Sequence, residues 1–263
     1  MKNITFLILL TYFFQLSSFA QLPSKPKVYF CQYIHQNEIV LDGFINEPAW
    51  DKASWTDDFI DIQGADLPTP YFQTRAKMLW DDSTLYIAIY MEDTDIWAYI
   101  ERDEEIMYQD NDIEVFIDPN GDNHHYFEFE FNARNKKWDL YFDWPYRDVV
   151  SPDLEWTCHG LKHAVQVFGS LNQPNARADS SWTIEIAIPF DQIQYGVKEG
   201  SAWRINFSRV QWDTFIDKGH YIKENKPENN WVWSPTWAIN MHRPEYWGQL
   251  IFIKDKEINT TSI

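Results

Sequence analysis

Residues 126–133 read Tyr-Phe-Glu-Phe-Glu-Phe-Asn-Ala, so Phe127, Phe129 and Phe131 alternate with Tyr126, Glu128, Glu130 and Asn132. Neighbouring side chains on a β-strand point to opposite faces, and a period of two gives a strand, not a helix, one apolar side. The pattern recurs. Ile113, Val115 and Ile117 oppose Asp112, Glu114, Phe116 and Asp118, and Leu85, Ile87, Ile89 and Met91 oppose Tyr86, Ala88 and Tyr90. Trp138, Leu140 and Phe142 alternate with Lys137, Asp139 and Tyr141, and Trp138 is expected on the inward face with Phe127, Phe129, Phe131, Trp182 and Trp203. Trp182, Ile184, Ile186 and Ile188 alternate with Thr183 and Glu185, and Trp203, Ile205 and Phe207 with Arg204, Asn206 and Ser208. Further strands are expected near 38–42, 57–62, 73–80, 161–168 and 247–253. Turn-forming runs such as Asp81-Asp82-Ser83 and Pro119-Asn120-Gly121-Asp122 separate them. Helix is expected only after Asn46-Glu47-Pro48, where Pro suits a first turn, and at Phe190 to Ile193. Many short alternating strands define an all-β chain, an antiparallel β-sandwich (a jelly-roll or immunoglobulin-like pair of sheets) with one or two short helices.

Met1 to Ala20 carries one Lys, then an apolar run from Ile4 to Leu16, then Ser18-Phe19-Ala20. This has the plan of a signal peptide: the apolar run is too short for a comfortable membrane span and ends on a small-x-small cleavage pattern. The expected organisation is therefore a signal peptide over 1–20, a lead-in over 21–37, one sandwich domain over 38–254 and a flexible tail over 255–263. The mature chain has no second run of membrane-spanning length. Cys31 and Cys158 are the only cysteines, and export permits a bridge between them without requiring one.

The formal net charge is −18, which repels phosphate backbones and argues against a nucleic-acid partner. Aromatic residues make up 17% of the chain, so the charge does not imply disorder. The acids collect on outward faces. Glu128 and Glu130 share one face of a strand, roughly 6–7 Å apart, and Glu114 belongs to the strand expected beside it. A solvated acidic face would tolerate them. So would an Arg, a cation or a hydroxyl-rich ligand among them, and Arg75, Arg204, Arg209 and Arg243 are available to neutralise the cluster. Paired carboxylates also suit glycoside cleavage, although a flat sheet lacks the cleft that raises an acid's pKa. Asp118 and Asp122, in Asp-Pro-Asn-Gly-Asp, have the first and fifth positions of a calcium loop. The sixth and twelfth are Asn123 and Phe129 rather than Gly and Glu, which favours a hairpin turn over a metal site. Near the C-terminus, Trp231, Trp233, Trp237 and Trp247 crowd an irregular segment with Asn240, Met241, His242 and Arg243. Indoles stacking on pyranose faces, with planar polar groups taking hydroxyls, suit sugar recognition. At least two of these Trp are expected to cover the sandwich end instead.

The ordered set Ile39-Val-Leu-Asp42-Gly43 with Glu47 and Trp50, Ala76-Lys-Met-Leu-Trp80-Asp-Asp82, Asp110-Asn-Asp112-Ile-Glu114-Val-Phe116-Ile-Asp118-Pro119, Trp182-Thr-Ile-Glu185-Ile-Ala-Ile-Pro189 and Trp247-Gly248 resembles the family 9 carbohydrate-binding modules over about 38–253. With Met241-His-Arg-Pro244 before Trp-Gly, it resembles stand-alone members in exported proteins of Bacteroidetes-type bacteria. The resemblance implies a site for sugars, often at a chain end, between two aromatic rings, with structural calcium. By position, the first ring falls at Tyr108, where sugar-binding members have Trp. The acidic contact falls on Glu114 and polar strand contacts on Glu128, Glu130 and Asn132, with a basic residue in sugar-binding members at the place of Glu130. The second ring falls within 237–242, with Met241 near the family's Trp and Trp237 close by.

The expected ligand-binding set is thus Tyr108, Glu114, Glu128, Glu130, Asn132, Trp237, Met241, His242 and Arg243. The expected function is non-catalytic binding of a mono- or oligosaccharide, or of a polysaccharide end, by an exported protein supporting the use of such sugars. Two other readings stay open. Related sandwiches bind b-type haem for electron transfer, with Met107, Met241 and His242 as available axial ligands, and the strand carboxylates could cleave glycosides. An adhesion domain with no small ligand is a fourth.

Overall fold

The computed structural model describes residues 26–148, 151–174, 178–193 and 196–254; the expected signal segment Met1 to Ala20 and the tail 255–263 lie outside them. The strands are β1 (Val28–Tyr33), β2 (Ile60–Asp61), β3 (Thr74–Trp80), β4 (Thr84–Glu92), β5 (Asp112–Asp118), β6 (Tyr126–Asn132), β7 (Lys137–Phe142), β8 (Lys162–Phe168), β9 (Ser181–Pro189), β10 (Ala202–Gln211), β11 (Thr214–Asp217), β12 (His220–Lys223), β13 (Asn229–Val232) and β14 (Gly248–Ile253). Helix is confined to single turns: α1 (Phe190–Ile193) and 3-10 turns at Pro48–Lys52, Met107–Gln109, Tyr146–Asp148 and Pro244–Tyr246. Among the described residues no helix is long and apolar enough to cross a membrane.

One hydrogen-bonded path runs β7-β6-β5-β10-β14-β1-β3-β4-β9-β8, and it curls so that its two halves pack face to face as a β-sandwich. The inward rows are those set by the alternation: Ile113, Val115 and Ile117 of β5, Phe127, Phe129 and Phe131 of β6, and Trp203, Ile205 and Phe207 of β10 meet Met78, Ile87, Ile89, Ile184 and Ile186 of the opposing half. Rings lock the layers, with Trp80 edge-on to Phe252 at 5.4 Å. Cys31 and Cys158 sit in this core as separate buried thiols.

Two expectations for the first part of the chain are corrected. Residues 38–42 form no strand; Ile39 and Leu41 instead pack with Trp50 over the outer face of β3 and β4. Val28–Tyr33, read as lead-in, is β1, paired in parallel with both β14 and β3, whereas all other pairings among the described strands are antiparallel. Glu185 fixes the segment over β3 and β4: its carboxylate accepts the N–H groups of Asp42 and Gly43 and the Trp50 indole N–H at 2.8 Å.

The arginines have structural tasks. Arg209 points inward from β10 and reaches the other layer, donating to Thr74 Oγ1, the Glu92 carbonyl and Asp93. Arg204 donates to the Pro244 carbonyl, and Arg75 lies over the Trp55 ring. Gly248 shows why Trp247 is followed by glycine, since an added Cβ would sit 2.3 Å from the Trp233 ring. No shift of a core indole relieves such an overlap cheaply.

Candidate functional site

The outer face of β5, β6 and β7 carries a second apolar cluster instead of solvent. Phe116, Tyr126, Leu140 and Phe142 pack there against Val232, Met241 and Trp247 from the segment that folds over the sheet. This corrects the side on which β7 was expected to bury its apolar row. Trp138, Leu140 and Phe142 do not face the sandwich interior but share the outer face with the acids, because Glu130 stands opposite Trp138 and Glu128 opposite Leu140.

Beside this cluster lies a cavity of ≈ 610 Å³, within the range of small-molecule sites. Glu114, Glu128 and Glu130 lie on its sheet side. Tyr108, Phe116, Trp138, Phe142, Tyr146 and His242 supply rings, and the segments around Leu154, Glu228 and Ile239 form its margins. Trp138 borders Glu130 across the strands, and the backbone N–H groups of Met107 and Tyr108 face Glu130 from the other side. Tyr108 and Trp138 therefore flank one carboxylate. The Tyr108 turn is braced from outside by the Trp212 indole, which donates to the Tyr108 carbonyl at 2.8 Å, and by Lys223, which donates to the Gln109 carbonyl.

His242 sits in a box of rings, with Phe142 at 4.9 Å and Tyr146 at 5.2 Å, and shares a 2.8 Å hydrogen bond with the Tyr126 hydroxyl. Burial holds its pKa down to about 4, so it is a neutral, oriented group at neutral pH. Of the expected set, Tyr108, Glu114, Glu128, Glu130, Met241 and His242 line the cavity. Asn132, Trp237 and Arg243 do not. Asn132 spends its amide on the Ile100 carbonyl and Asp110. Trp237 has φ +63°, and its ring closes over Gly64. Arg243 donates to the Thr236 carbonyl at 2.6 Å and stacks on Tyr246. Trp231 and Trp233 enter the central core, and Trp247 the outer cluster, so the C-terminal indoles are packing groups.

The acids are not a solvated face. Glu114, Glu128 and Glu130 are only 7, 4 and 3% exposed, and Asp112 is fully buried beside them. None of the four arginines thought able to neutralise them lines the cavity, and neither does any Lys or other Arg among the described residues. Burial pushes the Glu114 pKa up to about 7. Glu128 and Glu130 are raised by burial and then by neighbouring carboxylates, and Asp112 by burial and then by Glu114. In buffer free of divalent cations, stability is expected to fall between about pH 5 and pH 8. The folded pKa values lie above the ~4.3 of a solvated glutamate. The favourable contribution is therefore complete below about pH 4 and lost as the pH rises through about 7. A rise from ~4.3 to about 7 at Glu114 corresponds to on the order of 4 kcal/mol, shared with the carboxylates beside it. Scanning calorimetry reads it as a falling Tm; a Tm that rises over that window would contradict it.

The Asp118 to Asp122 turn takes up its own carboxylates. Asp118 accepts the N–H groups of Gly121 and Asn123, and Asp122 accepts from His124 and from the Asn120 amide. It is a hairpin turn joining β5 to β6, with little left for an ion. Met107 does not line the cavity, and His242 is engaged by Tyr126.

A two-layer sandwich that holds a ring-walled, acid-floored cavity on an outer sheet face has the design of a ligand-binding module. The chain belongs to the carbohydrate family 9 binding domain-like family, whose model matches residues 41–254. Solved structures agree on the fold. A family 9 carbohydrate-binding module from Caldicellulosiruptor kristjanssonii in complex with cellotriose is 16% identical, with a TM-score of 0.57 over 90% of this chain and 99% of that one. The glucose complex of a family 9 module from the same organism is 16% identical, with a TM-score of 0.57 over 88% of this chain and 98% of that one. A candidate carbohydrate-binding protein from Bacteroides uniformis is 15% identical, with a TM-score of 0.63 over 87% of this chain and 100% of that one. No curated protein matches the chain.

Proposed function

We propose that this protein binds carbohydrate without cleaving it, at the cavity between Tyr108 and Trp138. The observation that carries this reading is the pairing of two accessible rings with buried carboxylates, in a chain of this family. Ring faces take the C–H side of a pyranose, and carboxylates accept its hydroxyls. Glu114, Glu128 and Glu130 supply acceptors, and the oriented His242 adds a polar edge. A signal peptide over 1–20 would export the chain, where it would support the use of oligosaccharides or polysaccharide ends. Calorimetry with glucose, cellotriose and a panel of other glycans tests this reading. Binding is expected to at least one sugar class, and to be lost in Tyr108→Ala; silence of the wild type across the panel would end the proposal.

The raised pKa of Glu114 favours glycoside cleavage as a second reading, since a general acid needs its proton near neutral pH. Release of chromophore from aryl glycosides, lost in Glu114→Gln, would replace binding with turnover.

A further inference from the structure

We propose that Asp112, Glu114 and Glu130 form a site for a hard divalent cation, calcium, at the floor of the cavity, and that sugar hydroxyls complete its coordination. The metal site stands on its own geometry; its part in recognition rests on the carbohydrate reading above. Asp112 and Glu114 are alternate residues on one face of β5, and Glu130 is directly opposite Glu114 on β6. One carboxylate oxygen from each lies within 4.8 Å of the others. Oxygens on opposite sides of a calcium ion are about 4.8 Å apart, given its ~2.4 Å bond length, so one ion can touch all three.

The independent observation concerns hydrogen bonding. Asp112 is fully buried, yet neither of its oxygens has a hydrogen-bond partner. Ser208, opposite Glu114 on β10 and also fully buried, has a hydroxyl with no well-formed hydrogen bond. Glu130 Oε2 is a fourth such atom. Buried polar atoms almost always have partners, and an unpaired buried carboxylate is costly. Elsewhere the protein supplies them: Glu185 takes three N–H groups, and Asp118 takes two. To the Asp112 carboxylate itself it brings no hydrogen-bond donor, and no Arg or Lys among the described residues lines the cavity. A cation satisfies several lone pairs at once, and an all-oxygen donor set selects calcium over the softer metals. Glu114 and Glu130 line the cavity, so the ion's open side faces the ligand space. Calcium there would turn an acidic floor that repels carboxylated sugars into one that grips vicinal hydroxyls.

The test begins without sugar. Chelator-stripped protein is titrated with calcium, from micromolar to several millimolar, by calorimetry and thermal shift. It is then titrated with terbium, whose emission nearby Trp and Tyr rings sensitise. A calcium-dependent rise in Tm and sensitised terbium emission are expected. Asp112→Asn keeps the shape and removes one charge, and it should weaken both by about tenfold or more. Glu47→Gln, in the separate carboxylate cluster of Asp42, Glu47 and Glu185, should leave this binding event intact. An unchanged calcium response in Asp112→Asn overturns the site, as does absence of any calcium or terbium uptake. Binding of glucosamine oligomers by stripped protein, abolished by Asp112→Asn, would identify an ammonium site instead and also overturn it. The sugar panel is then run with calcium and with chelator. Sugar binding lost in chelator supports the bridging role, and equal binding in both overturns that role while leaving the carbohydrate reading intact. Calcium uptake with no sugar bound would remove only the carbohydrate reading.

Discussion

Arg209→Met is expected to lower the unfolding free energy by about 3–5 kcal/mol, read from urea denaturation at neutral pH. The guanidinium and the Asp93 carboxylate are both about 1% exposed and lie 3.3 Å apart. The same group holds Gln211 Oε1 at 2.6 Å and lies over the Trp231 and Phe72 rings. Met fills much of the volume but leaves Asp93 charged, buried and without its counter-ion. The double variant Arg209→Met with Asp93→Leu should recover part of the loss, because the cost comes mainly from the stranded charge. If the single variant unfolds within about 1 kcal/mol of wild type, Arg209 is not a stitch between the layers.

Trp138→Ala is expected to weaken sugar binding about thirtyfold or more, the equivalent of about 2 kcal/mol for a ring that anchors a ligand. The folded state should survive, since Trp138 is only partly buried and at the edge of its cluster. Trp237→Ala provides the contrast. Its ring closes over Gly64, outside the cavity, so affinity should be unchanged while stability drops. Calorimetry on both variants decides the matter: a silent Trp138→Ala beside a damaging Trp237→Ala would return the second ring to the C-terminal loop.

These two tryptophans also mark what the sequence reveals and what it hides. Alternation reports which residues of a strand share a face, and Phe127, Phe129 and Phe131 lie together in the core as the pattern requires. It does not report which face is inward. On β7 the pattern alone would put the apolar row inward, but the interior side carries Asp139, whose carboxylate accepts the Cys158 N–H. Trp138 looks outward, because the chain after β13 returns to cover that side and makes a second apolar layer. Sheet-pair registers, and hence the row Ser208, Glu114, Glu130, Trp138, are long-range facts with no local signature. The acids were visible as a cluster, but their burial was not, since burial depends on the returning loop. Val28–Tyr33 carries no local strand signature, because its apolar residues do not alternate cleanly and its partners lie far away in the chain.

That last strand has a consequence for how the protein is made. β1 lies between β14 and β3, so among the described strands the one nearest the start of the chain is seated by the one furthest along it. Until β14 is in place, the two halves of the sheet share no seam, and β1 exposes an unpaired edge of the kind that invites aggregation. Such long-range closure is slow. Joining the two halves into one sheet therefore waits on a pairing between segments more than 200 residues apart, and is expected to come late in folding.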